Sequence, residues 1–433
     1  MRVRGGSVRR GGFLGQGVLT GPFPRVGGTV HCGEVSAEDL AERFGTPLYV
    51  YDLAWIRGRV ALFHAAFAGV DHLLAYSVKA NGNLSILREL HALGCGADIT
   101  SGGELFRAIR AGMSPDRIVF AGVGKTWEEI EAALDHGILA FNVESRAELE
   151  RIAEVARGLG VRARFGVRVN PDVLAPTPHR YTATGHAATK FGVPWTETRE
   201  LYAWALEQEH LAPVGIDVHI GSQIVDPDPY VRALDRVLEL AGELRQMGVG
   251  LEYLDIGGGF GISYDDGPGL DIALLASRVV PRVAEAGLRL LLEPGRSLVG
   301  DAGVLLTRVQ YLKRSEEKTF VIVDGGMSEL IRPSHYGGYH EIQLVTSPEG
   351  RKAQTVDVVG PICETGDFLA LDRTMEMPAA GDLLAVRTSG AYGFAMASNY
   401  NGRRRPAEVL VDGRDVRLAR RRETYDDLIR GEA

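Results

Sequence analysis

The sequence predicts an α/β protein: a (β/α)₈ barrel of the TIM type followed by a C-terminal all-β domain of the sandwich or barrel kind. Between residues 46 and 299, short apolar runs that end in Gly, Asn or Ser alternate with amphipathic helical stretches. After about residue 300, apolar runs follow one another with turn residues and little helical periodicity. Eight β–α units in about 250 residues are typical of this barrel, whereas a doubly wound sheet usually uses fewer strands.

The eight strand-like runs are spaced along the whole first region. In chain order they are LLAYSVKAN (73–81), GADITSGG (96–103), IVFAGVGK (118–125), LAFNVES (139–145), ARFGVRVNP (163–171), GIDVHIGSQ (215–223), LEYLDIGGGFG (251–261) and LRLLLEPGRS (288–297). Helical patterns such as LSILRELHALG and GELFRAIRAGM lie between them, with apolar residues at i, i+3 and i+4. Several of these patterns end in glycine, as helix C-termini prefer.

These patterns divide the chain into two domains and an arm. Residues 46–299 form the predicted barrel. Residues 300–433 carry runs such as KTFVIVDGG and DLLAVRTSG and form the predicted β domain, to which residues 21–45 contribute a strand. Residues 1–20 are rich in Gly and Arg without periodicity, so we expect a disordered arm.

Composition excludes several classes of function. The 433 residues include 48 basic and 56 acidic side chains, a net charge of -8, which argues against a nucleic-acid partner. The sequence contains no apolar run near the ~18 residues of a membrane span. The three cysteines are far apart without a CxxC pair, so we predict neither a zinc site nor a disulfide framework, and expect a cytoplasmic location.

Lys79 is the most specific candidate for catalysis. Lysine accounts for only six of the 48 basic residues, and Lys79 stands among small and apolar neighbours at the end of the first barrel run. Desolvation there is expected to lower its pKa and free the amine as a Schiff-base nucleophile. The alternative is an ion-paired or solvent-directed lysine at the barrel mouth.

Further candidates lie where later barrel strands end, which is the edge at which such barrels carry their function. They are His219 and Ser222 after strand six, Gly257, Gly258 and Gly259 after strand seven, and Glu293, Gly295 and Arg296 after strand eight. Glycine N–H groups suit phosphate oxygens, although two tight turns explain the glycines equally well. The Glu293 carboxylate can keep a pyridine nitrogen protonated, and an ion pair is its alternative. The His219 ring can stack on a flat cofactor, and a core histidine is its alternative.

The β domain contributes two further clusters and a tyrosine. Arg332 and Tyr336 stand in IRPSHYGGYH and together can bind a carboxylate. Cys363 and Glu364 stand side by side in CETGD, where a thiol next to an acid can donate a proton. A solvated arginine, a small buried cysteine and, for Tyr392, an ordinary core tyrosine are the alternatives.

Taken together, these motifs are far more specific than any one residue. The chain resembles the pyridoxal-phosphate-dependent decarboxylases of the alanine-racemase-like fold, and among them the diaminopimelate decarboxylases. The resemblance extends from about residue 46 to 409, and the motifs that carry it are YSVKAN, GADITSGGEL, NP…TKFG, HIGSQ, DIGGGFG, EPGR, IRP…Y, CETGD and GAYGFAMASNYN. It implies decarboxylation of meso-diaminopimelate to L-lysine and CO₂, the last step of lysine biosynthesis.

The resemblance also assigns roles to the candidates. Lys79 would hold pyridoxal phosphate, His219 would stack on its ring, and Glu293 would contact the pyridine nitrogen. The phosphate would lie among Ser222, Gly257, Gly258, Gly259, Gly295, Arg296 and Tyr392. The distal groups of the substrate would be bound by Arg296, Arg332, Tyr336, Tyr392 and Glu364. Cys363 would donate a proton in the active site of the other subunit, which implies a homodimer with shared sites.

Some features leave the substrate open. Thr189, Thr365, Ser328 and the pair Ser334-His335 depart from the commonest family pattern, although none removes a charge or the lysine. Alternatives of the same fold act on carboxynorspermidine, on ornithine or arginine, or on carrier-tethered glutamyl groups. A non-catalytic regulator is the alternative of a different class, but it would be expected to lose Lys79 or the phosphate turns. The segment from Asn170 to Lys190 is a candidate mobile lid.

Overall fold

The computed structural model describes residues 21–173, 190–265, 267–348 and 350–433. The predicted arm over residues 1–20 lies outside the described part of the chain, as does most of the predicted lid. In the described residues, no helix is both long and apolar enough to cross a membrane.

The N-terminal segment forms a small sheet and one helix. Its elements are β1 (Arg25–Val26), β2 (Thr29–Cys32), β3 (Val35–Ser36), α1 (Ala37–Phe44) and β4 (Leu48–Asp52). Strands β1, β2 and β3 pair antiparallel. Helix α1 begins where the side chain of Ser36 accepts a hydrogen bond from the N–H of Asp39 at 3.0 Å.

Eight parallel strands then close into a barrel. They are β5 (His72–Ser77), β6 (Gly96–Ile99), β7 (Ile118–Phe120), β8 (Ala140–Val143), β9 (Ala163–Asn170), β11 (Leu211–Asp217), β12 (Tyr253–Asp255) and β13 (Arg289–Leu292), and the short β10 (Val193–Pro194) adds to β9. Strands pair in chain order, and β13 pairs with β5 to complete the ring. Each strand falls in or overlaps one predicted run, so the barrel prediction is confirmed.

Helices connect the strands around the barrel. They are α2 (Leu53–Ala66), α3 (Leu84–Ala92), α4 (Gly102–Ala111), α5 (Trp127–His136), α6 (Arg146–Leu159), α7 (Trp195–Leu206), α8 (Asp228–Gln246) and α9 (Ile272–Ala286). Neighbouring helices contact one another, as α3 contacts α4 and α5 contacts α6. Gly112, Gly137 and Gly160 end their helices in the left-handed conformation, as the terminal glycines predict.

The rest of the chain forms the β domain. After α10 (Arg296–Val299), which follows the last barrel strand, its elements are β14 (Gly303–Arg314), β15 (Thr319–Val323), α11 (Arg332–Tyr336), β16 (Ile342–Leu344), β17 (Ala353–Val359), β18 (Phe368–Glu376), β19 (Leu383–Val386), β20 (Ala407–Asp412), β21 (Asp415–Arg420) and α12 (Tyr425–Leu428). The sheet runs in the order β18-β17-β15-β14-β4-β20-β21, and β16 and β19 extend it from β14. The all-β second domain is confirmed.

Strand β4 corrects the predicted boundary at residue 46. It pairs antiparallel with β14 and parallel with β20, and therefore belongs to the sheet of the second domain. Both of its faces are buried: Leu48 and Val50 pack with the N-terminal segment, whereas Tyr49 and Tyr51 join the core shared with the barrel. A strand apolar on both faces gives no local signal of which sheet it joins, so the sequence pattern could not place it.

Candidate active site

A cavity of about 560 Å³ lies at the carboxyl ends of the barrel strands, where α11 of the second domain also reaches it. Ten of the fourteen predicted site residues line it: Lys79, His219, Ser222, Gly259, Glu293, Gly295, Arg296, Arg332, Tyr336 and Tyr392. Because parallel strands end at one edge of a barrel, residues far apart in sequence meet there. Four predicted residues do not line the cavity: Gly257, Gly258, Cys363 and Glu364.

Lys79 lies in a single 3-10 turn, Val78–Ala80, directly after β5. Its Nζ donates a hydrogen bond to Oδ2 of the fully buried Asp98 at 2.6 Å, and Ser77 Oγ donates to the same oxygen at 2.8 Å. Burial acts to lower the pKa of Lys79, but the charge of the neighbouring Asp98 carboxylate outweighs it and raises the pKa above its usual range. The expected lowering of this pKa is therefore wrong, because it left out the carboxylate of the neighbouring strand.

Glu293 follows β13 and is buried beside other carboxyl groups. Carboxyl oxygens of Asp217, Asp255 and Glu293 lie within 4.8 Å of one another. Burial, and then the charges of its acidic neighbours, raises the pKa of Glu293 well above its usual range. Its Oε1 lies 3.4 Å from Nδ2 of Asn142. The protonated form of Glu293 is thereby favoured, so this side chain can offer a proton to a ligand atom in the cavity.

His219 lies two residues after β11 and stays neutral. Desolvation by burial, and then the positive charges of Arg168 and Lys79, lowers the pKa of His219 well below its usual range. The N–H of Gly258 donates to its Nδ1 at 3.1 Å, so the proton of the neutral ring lies on Nε2. A neutral imidazole held at a cavity wall is suited to stacking on a flat ligand.

The glycine turn after β12 excludes side chains. Gly257 and Gly259 have φ angles of 69° and 84°, and a Cβ on Gly259 would lie 2.0 Å from the carbonyl oxygen of Gly221. The N–H of Gly257 donates to Asp255 Oδ1 at 2.8 Å, and that of Gly258 to the imidazole just described. Two of the three predicted phosphate ligands therefore have protein partners and shape the turn, and Gly259 is the member that lines the cavity.

Arg296 follows Gly295 and lies beside this turn. Its Nη2 donates to Ser222 Oγ at 3.2 Å, and its Nη1 donates to the hydroxyl of Tyr264. The guanidinium lies 4.8 Å from the centre of the Tyr392 ring. Its Nε is buried without a hydrogen-bond partner, and no carboxylate in the described residues pairs with it. This donor set fits a phosphate or carboxylate anion.

Arg332 brings a second positive charge from the other domain. Its Nη1 lies 2.8 Å from Nε2 of His340, and its guanidinium lies 4.6 Å from the centre of the Tyr264 ring. Burial lowers the pKa of Arg332 below its usual range. Tyr336 ends the same short helix and lines the cavity. Among the residues that the structure describes, Arg332 has no carboxylate partner, so the cavity holds a second site for an anion.

Cys363 and Glu364 lie on the exposed loop between β17 and β18. The loop is anchored by Asp367, which accepts a hydrogen bond from the N–H of Met327 at 2.6 Å. Neither residue lines the cavity that contains Lys79.

Residues 53–300 match the family model described as the pyridoxal binding domain of pyridoxal-dependent decarboxylases. The diaminopimelate decarboxylase of Aquifex aeolicus is 51% identical over 399 residues, which cover 91% of this chain and 93% of that protein. That of Neisseria meningitidis serogroup A is 49% identical over 404 residues, 93% of this chain and 99% of that protein.

The chain belongs to the diaminopimelate decarboxylase family. A solved structure of diaminopimelate decarboxylase from M. jannaschii, in complex with L-lysine, has a TM-score of 0.90 and 37% identity, and covers 95% of this chain and 97% of that one. Family membership makes this chain an enzyme, a pyridoxal-phosphate-dependent carboxy-lyase, and confirms the predicted fold and cofactor.

The cavity of this family member fits its cofactor chemically. Lys79 offers an amine for the aldehyde, and Arg296 offers unpaired donors, including the buried Nε, for the phosphate. Glu293 offers a proton to the pyridine nitrogen and His219 a neutral ring face.

Three residues of the site were not predicted from the sequence. Asp98 carried a signal, because it is a charged residue in the run GADI of a predicted barrel strand. Tyr264 and His340 stand in loops without periodicity, so no sequence pattern predicted their contacts with the two arginines.

Proposed function

We propose that this chain removes one carboxylate of meso-diaminopimelate as CO₂ and releases L-lysine, the last step of lysine biosynthesis. The observation that supports this substrate most strongly is the cavity that joins Lys79 to two arginines without carboxylate partners among the described residues. One anion site suits the cofactor phosphate. The other suits a carboxylate at the far end of the substrate, a group that ornithine and arginine lack.

The cofactor is assigned to the barrel side of the cavity. Lys79 would bind its aldehyde, and Ser222, Gly259 and Arg296 would hold its phosphate, with Gly295 beside them. When bound, pyridoxal phosphate withdraws electrons from the substrate Cα and so stabilises the charge left by departing CO₂. Glu293 would keep a proton at the pyridine nitrogen, which strengthens that withdrawal.

The second domain is assigned to the substrate. Arg332 and Tyr336, together with Arg296, would bind the distal carboxylate, and Tyr392 would lie against both substrate and cofactor. Such a clamp fixes the scissile bond in the one orientation that favours loss of CO₂. A neutral His219 supports the cofactor plane without adding a charge that would oppose the protonated ring.

Completion of the site is assigned to a second copy of the chain. Cys363 would return a proton to Cα, and Glu364 would bind the distal amine, both in the active site of the partner subunit. Their exposure on the β17–β18 loop, away from the cavity of their own chain, supports this arrangement. We therefore propose a homodimer with shared sites, and a cytoplasmic location with its reducing environment.

A substrate panel tests the proposal. The chain, supplied with pyridoxal phosphate, is offered meso-diaminopimelate, ornithine, arginine, lysine and carboxynorspermidine, and each product is identified by mass. The proposal predicts L-lysine from meso-diaminopimelate and no comparable turnover of the others. Turnover of ornithine or arginine at a higher kcat/KM would contradict the assignment of Arg332 to a distal carboxylate.

A further inference from the structure

His340 is a fully buried histidine that contacts Arg332 without lining the cavity. Its Nε2 lies 2.8 Å from Nη1 of Arg332, and its Nδ1 lies 2.8 Å from the main-chain oxygen of Arg387. The ring of Tyr264 packs against it edge-on, with centroids 5.4 Å apart and planes at 84°. His340 therefore has a defined partner on each nitrogen.

These partners fix the tautomer of His340. A guanidinium can only donate hydrogen bonds, and a carbonyl oxygen can only accept them. Nε2 therefore accepts from Arg332, and the proton of the ring lies on Nδ1 and is donated to Arg387. Burial, and then the charge of Arg332, lowers the pKa of His340 to about 3, so the ring stays neutral and keeps its acceptor.

The neutrality of this partner matters for Arg332. An arginine side chain has several rotatable bonds, and holding it in one geometry usually requires a partner on the guanidinium. A carboxylate partner would cancel the positive charge and compete with an anionic substrate. A neutral imidazole holds one N–H and leaves both the charge and the other N–H groups for a ligand. The ring of Tyr264, 4.6 Å from the guanidinium, adds a second contact without negative charge.

We propose that His340 is a positioning residue for the distal carboxylate of the substrate: its neutral imidazole directs Arg332 into the cavity and leaves the arginine charge uncompensated. This inference rests on the proposed function, because it takes the distal carboxylate as the group that Arg332 binds. It predicts a loss of substrate affinity rather than of the chemical step.

The test compares His340→Leu, which removes both hydrogen bonds, with His340→Gln, which keeps an acceptor for Arg332. For meso-diaminopimelate, His340→Leu should raise KM about tenfold, the effect of losing one hydrogen bond to a charged group, and change kcat by less than about threefold. His340→Gln should return KM to within about threefold of the parent. The side chain of His340→Asn is too short to span both partners, so this variant should show the same rise in KM. It replaces His340→Leu if His340→Leu does not fold.

Competition by two product-like molecules separates positioning from general damage. L-lysine retains the distal carboxylate, so its inhibition constant should rise about tenfold in His340→Leu. The inhibition constant of 1,5-diaminopentane, which has no carboxylate, should not change. Tyr49→Phe is the matched control, because the buried Tyr49 hydroxyl donates to the main-chain oxygen of Glu329 at 2.8 Å and does not line the cavity. It should lower Tm and leave KM unchanged.

The inference would be overturned if His340→Leu kept the KM and the L-lysine inhibition constant of the parent while Arg332→Ala raised both. That result would leave the proposed function intact. An equal rise in the inhibition constants of L-lysine and 1,5-diaminopentane would also overturn the inference, because it would indicate a disturbed cavity. Absence of CO₂ release from meso-diaminopimelate by the parent enzyme would instead overturn the proposed function and the inference with it. A double variant of His340→Leu and Arg332→Ala that binds no worse than Arg332→Ala supports the inference.

Discussion

Asp98→Asn tests the electrostatics of the site at the lysine. The change keeps the shape of a fully buried side chain and removes its charge, while Lys79 Nζ lies 2.6 Å from Oδ2 of Asp98. A hydrogen bond to a charged group is worth about 1.5–3 kcal/mol, and about 1.4 kcal/mol corresponds to one pKa unit. The lysine side chain is 37% exposed, which screens the interaction, so we expect its pKa to fall by about one unit.

The assay is the rate at which the apoenzyme captures pyridoxal phosphate at neutral pH, followed through the absorbance of the cofactor. Only the unprotonated amine adds to an aldehyde, so a pKa lowered by one unit should speed capture by Asp98→Asn about tenfold. Glu148→Gln is the matched control, because Lys125 and Glu148 also lie 2.6 Å apart and neither lines the cavity. It should capture the cofactor at the parent rate.

The outcome decides whether Asp98 holds the proton on Lys79. Unchanged or slower capture by Asp98→Asn would mean that the carboxylate does not raise the pKa of the lysine. Faster capture by Glu148→Gln would mean that the effect is not local.

Other substitutions test separate parts of the site. Gly259→Ala should weaken pyridoxal phosphate binding at least about tenfold, because its Cβ would lie 2.0 Å from the Gly221 oxygen. Gly248→Ala is the control for backbone strain, because Gly248 has a φ of 91° and no atom lies within 4 Å of its Cβ position. This variant should bind pyridoxal phosphate as the parent does. Burial raises the pKa of Asp301 to about 6. The protonated side chain therefore contributes at most about 3 kcal/mol to the free energy of unfolding. This contribution is complete below about pH 4 and is lost as the pH rises through 6. Asp301→Asn should abolish this decrease in the free energy of unfolding, which urea unfolding at pH 4.5 and 7.5 measures. A pH dependence equal to that of the parent would contradict this expectation. Cys363→Ala should lower kcat about tenfold or more at unchanged cofactor affinity, and a parent-like kcat would mean that another acid protonates Cα.

Sequence periodicity predicts the barrel because each β–α unit shows its own local signal. The eight runs of alternating strand and helix match the observed strands. Strand β4 shows where local patterns stop, because its partners β14 and β20 lie hundreds of residues away. Placing such a strand requires knowledge of long-range pairing.

The site is predictable to the extent that it follows from the barrel. Lys79, His219 and Glu293 end different strands, and parallel strands end at a common edge. The pKa of Lys79 depends on register, because Ser77 of β5 pairs with Asp98 of β6 and brings that carboxylate to the lysine. The contact of His340 with Arg332 depends on the turn after α11, which has no periodic pattern.

Production of CO₂ and L-lysine from meso-diaminopimelate, measured for the parent and for Lys79→Ala, tests whether Lys79 carries the decarboxylation. Both proteins are supplied with pyridoxal phosphate, and their folding is compared by thermal unfolding. We expect equal amounts of CO₂ and L-lysine from the parent, and loss of turnover by a factor of about a thousand or more in the variant. Substantial turnover by a folded Lys79→Ala, or a product other than L-lysine from the parent, would contradict this expectation.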